Sequence, residues 1–222
     1  MKAIILAGGN QTRFEKDIQK QSKILFPLRD NETVLSNTIK QLEEAGAEII
    51  LHIKDKEFIA DYVKNISTSG NIEIDRTNIS GLGNLFFNFK KYIPCIYIFG
   101  DIYFSQNSLV NFVKKIRELL STNPYDGIIG VSKYQVGDYN VKTEGEIVTR
   151  ISKEEVGDYF TCGVFSILNP LAIEGLDHIE KMTDIFSQLV KDGHRIGYVD
   201  LKGHLIDLDT KEKAGELLKL LN

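Results

Sequence analysis

Residues 93–99 read IPCIYIF, an apolar run with no polar face. A strand of this kind has to be covered on both sides, and sheets covered on both sides are mostly parallel sheets packed between helices. The rest of the chain supplies such helices. Apolar residues recur three and four apart in 33–45 (Val34, Leu35, Ile39, Leu42), in 56–66 (Phe58, Ile59, Tyr62, Val63, Ile66) and in 105–121 (Leu109, Phe112, Val113, Ile116, Leu119, Leu120). Residues 183–191 and 211–221 add two more helices. Short stretches at 3–7, 48–53, 71–75, 127–132, 160–168 and 196–201, most of them apolar, alternate with them as strands. That order predicts an α/β fold of three layers, helix on sheet on helix, with a mostly parallel mixed sheet. The charged stretch 133–158, with short alternating pieces such as 146–151, predicts a small antiparallel excursion over that sheet. With 222 residues and no linker-like or repeated segment, the chain reads as one domain, 1–222.

Composition excludes several partners. A net charge of −4 gives no broad basic footprint for nucleic acid. No run approaches the roughly 20 apolar residues of a membrane span. The opening apolar run is too short for a secretory signal, so a cytoplasmic protein is expected. Cys95 and Cys162 sit inside apolar runs and read as small core residues. Nothing in the sequence marks an exposed apolar face, so it leaves the oligomeric state open.

In sheets of this class, ligands sit beyond the carboxyl ends of the strands. Two strand ends carry chemistry. The first strand runs through Ala3-Ile4-Ile5-Leu6-Ala7 and breaks at Gly8-Gly9, followed by a polar loop with Arg13 and then by Lys23. Glycines let main-chain N–H groups approach a phosphate closely, and they also simply end strands in turns. Arginine can grip phosphate oxygens in a fork, whereas lysine is a point charge. The loop has neither the GxGxxG pattern nor a Gly-Lys-Ser/Thr, which disfavours dehydrogenase and P-loop readings. The other end is Gly100-Asp101, after the most apolar strand. A carboxylate there is either a helix cap or a ligand for a hard cation such as Mg2+. Asp207 and Asp209 alternate in an extended piece, so they share a face, and Thr210 competes to cap the closing helix. His52, His178, His194 and His204 show no metal-ligand spacing and read as structural or surface residues.

These pieces, in this order, resemble the sugar-phosphate nucleotidyltransferases. Leu6 to Phe14 (LAGGNQTRF) is similar to the LAGGxGTRL signature that opens that family, and Lys23 follows Arg13 after ten residues, as the family's lysine does. Gly100-Asp101 matches its Gly-Asp, residues 205–213 (LIDLDTKEK) its WxDIDTPEDL, and 161–167 (TCGVFSI) its NAGIYVF strand.

The resemblance implies a Rossmann-like fold and the transfer of a nucleoside monophosphate from an NTP to a phosphorylated acceptor, a sugar 1-phosphate first of all. It implies that Leu6, Ala7, Gly8, Gly9, Asn10 and Arg13 bind the nucleotide, with Asn78 and Gly81 near the base. Arg13 and Lys23 act on the phosphates, Asp101 and Asp207 hold Mg2+ ahead of Asp209, and Lys153 and Gly163 meet the acceptor.

The chain departs from the pattern at Gln11, Thr161, Leu205 and Ser152-Lys153-Glu154, where the family has glycine, asparagine, tryptophan and Glu-Lys-Pro. Most of these concern the acceptor. The loop Thr77-Asn78-Ile79-Ser80 is closer to the phosphocholine and phosphonate cytidylyltransferases. A CTP-dependent enzyme for a small non-sugar phosphate is therefore the alternative, and a catalytically weakened nucleotide-binding subunit is a third.

Overall fold

The structure, a computed structural model, describes residues 1–8, 22–29, 31–54, 56–66, 72–79, 81–105, 107–122, 124–134 and 136–221. The first half of the chain, in order, forms β1 (Lys2–Leu6), α1 (Val34–Glu44), β2 (Glu48–His52), α2 (Glu57–Ile66), β3 (Ile72–Asp75), α3 (Leu82–Asn88), β4 (Cys95–Phe99) and β5 (Ile102–Phe104). The second half forms α4 (Ser108–Thr122), β6 (Gly127–Ser132), β7 (Asn140–Glu144), β8 (Ile147–Ser152), β9 (Tyr159–Ile167), α5 (Met182–Lys191), β10 (Ile196–Asp200), β11 (Leu205–Asp207) and α6 (Lys211–Leu221).

One nine-stranded sheet has the order β3-β2-β1-β4-β9-β6-β10-β8-β7. The first four of these strands are parallel, and β9 and β8 run against the rest. Alternation along the central strands explains why they lack a polar face. Ala3, Ile5 and Ala7 point to one core, with α1, α2 and α4, while Ile4 and Leu6 point to the other, with α3 and α5. In β4, Ile96 and Ile98 face the first core, and Cys95 and Tyr97 the second. Both cysteines are fully buried, and burial pushes the Cys95 thiol up to about 12 and Cys162 well above its ordinary value.

Local signals set the helix ends. Thr33 accepts from the Ser36 N–H at 3.2 Å and Ser36 Oγ accepts from the Thr33 N–H at 2.7 Å, so α1 starts on a reciprocal cap. At the other end of the chain the Thr210 hydroxyl accepts from the Lys213 N–H at 3.4 Å, so Thr210 rather than an aspartate caps α6.

Two placements differ from the sequence reading. The excursion does not lie over the sheet: β7 and β8 join its edge, β8 against β10 and β7 against β9. β5 was not expected. It leaves the main sheet and pairs with β11, Asp207 opposite Ile102. This small sheet is anchored from α1. The buried Gln41 donates to the Phe104 carbonyl at 3.0 Å and accepts from the Leu109 N–H at 3.0 Å. Phe26, Val34, Leu208, Ala214 and Leu217 form a third apolar cluster, which packs α6 onto it.

Candidate active site

The carboxyl ends of β1, β2 and β4 open on one cleft of about 340 Å³. Leu6, Ile79, Gly81, Leu85 and Phe99 give it apolar lining, and His52, Lys54, Lys23 and Asp101 give it polar and charged groups. Strand register builds this rim. Leu6 is level with His52 on one side and with Phe99 on the other, so the residues that follow all emerge together. The Ala7 N–H is spent on the His52 carbonyl (2.8 Å), and the Gly100 N–H on the Leu6 carbonyl (3.1 Å).

Gly8 lines the cleft where no side chain would fit easily. A Cβ there would stand 2.8 Å from Lys54 Cγ and 3.2 Å from His52 Nε2. Gly81 also lines it, with φ +83° at the start of α3. Asn78 is exposed on the preceding stretch and is not among the lining residues.

Lys23 opens a single 3-10 turn, Lys23–Leu25, fixed by the buried Ile24. Its ammonium is ion-paired with Asp101, and both side chains are mostly shielded, at 17% and 23% exposure. Asp207 arrives from β11, directly across from the residue after Asp101, and the Leu208 N–H donates to the Asp101 carbonyl at 3.0 Å. Burial, then the charges of Asp101 and Asp209, hold the Asp207 carboxyl up at about 7, while Lys23 and Lys213 pull it down. Asp209 pairs with Lys213 at 3.1 Å.

Two carboxylates held near each other, one of them reluctant to ionise, form a site short of positive charge. Their oxygen donors suit a hard cation such as Mg2+, which keeps several ligand positions for water and phosphate. Among the described residues no three His, Cys, Asp or Glu side chains form a metal cage. A cation here would therefore rely on substrate oxygens as well.

Gly163 sits on β9 with φ +66° behind this site, where a Cβ would come within 2.2 Å of Ile102 Cδ1 and 3.0 Å of Phe99 Cδ2. Lys153 is elsewhere. It follows β8, pairs with Asp138 at 3.1 Å and lies 4.8 Å over the Tyr139 ring, and is not among the residues that line the cleft. Gly9, Asn10 and Arg13 lie outside the described residues.

The sequence reads His52 as a structural or surface residue; in the structure it also lines the cleft. It is 1% exposed, and its Nδ1 lies 2.6 Å from Asp75 Oδ2, which also accepts from the Thr77 hydroxyl at 2.7 Å. Phe89 stands edge-on to its ring at 6.2 Å. The available signal was a polar residue closing an otherwise apolar strand, IILH, at the rim where ligands bind.

No protein-family model matches the chain. Solved structures match it nearly end to end. A Bacillus anthracis protein described as a glucose-1-phosphate thymidylyltransferase, in complex with sucrose, superposes with a TM-score of 0.79 at 16% identity, over 100% of this chain and 95% of that one. The inositol-1-phosphate CTP transferase of T. maritima gives 0.76 at 17% identity, over 99% and 95%. HddC from Yersinia pseudotuberculosis, complexed with GMP-PN, gives 0.75 at 22% identity, over 100% and 99%. At these identities the likeness establishes the fold: the chain has the architecture of these solved structures.

Proposed function

We propose that the chain, as one domain over 1–222, is a nucleotidyltransferase. It moves a nucleoside monophosphate from an NTP to a phosphorylated acceptor, a sugar 1-phosphate first of all, and releases pyrophosphate. The observation that carries this reading is one cleft with apolar lining and a lysine–aspartate pair, near Asp207, in a fold whose solved neighbours are named for this transfer. NTP substrates fit a cytoplasmic setting, and among the described residues no helix is long and apolar enough to cross a membrane.

In this reading the base packs on the apolar lining and the triphosphate runs past Gly8 towards Lys23. Gly9, Asn10 and Arg13 are assigned to the triphosphate on the sequence signature alone. An oxygen of the acceptor phosphate attacks the α-phosphorus; the new P–O bond forms as the bond to the β-phosphate bridging oxygen breaks. Lys23 offsets the charge that gathers on the α-phosphoryl oxygens, a purely positional and electrostatic contribution. Asp101 and Asp207 would hold Mg2+, which when bound neutralises phosphate charge and orients its oxygens. Gly163 keeps Ile102, and so the backbone beside Asp101, in place.

A second reading is favoured by the loop Thr77-Asn78-Ile79-Ser80 and by Ser152-Lys153-Glu154 in place of the sugar enzymes' Glu-Lys-Pro: a CTP-dependent enzyme for a small non-sugar phosphate. Pyrophosphate release, assayed with each of the four NTPs against sugar 1-phosphates and against phosphocholine and similar phosphates, separates the two. Turnover with a sugar 1-phosphate supports the first reading, and turnover with CTP and a non-sugar phosphate selects the second. No turnover with any pair overturns both.

A further inference from the structure

The His52 ring presents a nitrogen that the fold leaves unused. Nδ1 faces the Asp75 carboxylate, which can only accept, so Nδ1 carries a hydrogen. Nε2, on the far side of the ring, is buried and has no hydrogen-bond partner among the described residues. A buried polar atom without a partner costs free energy, so a state that supplies one is favoured. That nitrogen lies against Gly8, and the side chain lines the cleft. Lys54, two residues on, has a left-handed backbone (φ +54°), unusual for a residue other than glycine, and its side chain also lies against Gly8 and lines the cleft. The carboxylate behind His52 is set by register, since His52 and Asp75 are level on the parallel strands β2 and β3.

We infer that the end of β2 is the edge that reads the nucleobase, with His52 as the specificity residue and Asp75 as the group that orients it. In the neutral ring the hydrogen sits at Nδ1, towards Asp75, and Nε2 is an acceptor. It takes an N–H from an exocyclic amino group, so the site selects an amino-bearing base over its oxo counterpart. The inference rests on the nucleotidyltransferase reading and adds the chemical class of its NTP.

The test uses the full chain, with Mg2+ and no acceptor, and measures binding by calorimetry. The probes are two matched nucleotide pairs, CTP with UTP and ATP with ITP, and inorganic tripolyphosphate. In the pair that binds more tightly, the amino member should exceed the oxo member by about ten-fold, the scale of one hydrogen bond lost to a buried acceptor. His52→Phe should bring that ratio close to one, with tripolyphosphate binding measured alongside to report the change at Gly8. Asp75→Asn should lower the ratio too, and it carries the test if His52→Phe does not fold. An oxo member that binds as tightly as the amino one, or a ratio that survives in these variants, overturns the inference and leaves the nucleotidyltransferase reading standing. A wild-type chain that binds no NTP overturns that reading itself, and the inference with it.

Discussion

The ammonium of Lys23 and the carboxylate of Asp101 are in contact at the cleft, although one comes from a short turn and the other from the end of β4. Neither has another ion-pair partner among the described residues. Asp101→Asn, which keeps the shape and removes the charge, should lower turnover by about a hundred-fold or more, the scale of losing one preorganised charge at a reacting phosphoryl group. Lys23→Met should lower kcat on a similar scale. Steady-state pyrophosphate release checks both, with circular dichroism as the control for folding. Near-normal rates in either variant would remove that residue from the mechanism.

Asp207 supplies a pH dependence. Its carboxyl, ordinarily near 3.8, is held up at about 7, chiefly by burial. A carboxyl raised in the folded state contributes stability below its unfolded value, and that contribution is lost as pH rises through the folded value. The metal-free protein should therefore melt at a lower temperature at about pH 8 than at about pH 6. Mg2+ should restore more stability at the higher pH, where the carboxylate is free to bind it. Thermal melts with Mg2+ and with EDTA at both pH values check this, and Asp207→Asn should flatten the difference. An equal Mg2+ effect at both pH values would take Asp207 out of the cation site.

Gly163→Ala tests the support behind the site. The new Cβ would meet Ile102 Cδ1 at 2.2 Å on a backbone with φ +66°. Strain and overpacking together should cost about 1–3 kcal/mol in urea unfolding. Activity should fall with it, because Ile102 adjoins Asp101. A variant as stable as the parent would show that β9 and β5 shift apart freely.

Gln41→Leu tests the anchor of β5. It removes the acceptor of the buried Leu109 N–H and one of two donors to the Phe104 carbonyl, the other being Asn37 at 2.8 Å. An orphaned buried N–H costs about 1–3 kcal/mol, which urea unfolding will read. The loss should also appear as weaker Mg2+ binding, since β5 sets the spacing of Asp101 and Asp207.

Much of this was legible along the chain because the signals are local. The apolar run 95–99 is buried on both faces, Thr33 caps α1, and Asp101 follows its strand at the ligand-binding rim. What escaped depends on neighbours distant in sequence. Three residues, Ile102–Phe104, are too few to show a period, and they are a strand only because β11 returns to pair with them. The edge position of β7 and β8 depends on β9 and β10, which come later in the chain. His52 reads as an ordinary polar residue until β3 brings Asp75 level with it. Lys153 resembles an acceptor ligand by its order in the chain; in the structure it lies beside Asp138 at 3.1 Å.

The pairing of β11 with β5 has a consequence for biosynthesis. On a ribosome, the segment that bears Asp101 emerges long before Asp207 does. In the proposed mechanism the two carboxylates share a cation only once β11 has been made and docked. A nascent chain whose strands β1, β2 and β4 have already paired therefore still lacks Asp207 beside Asp101.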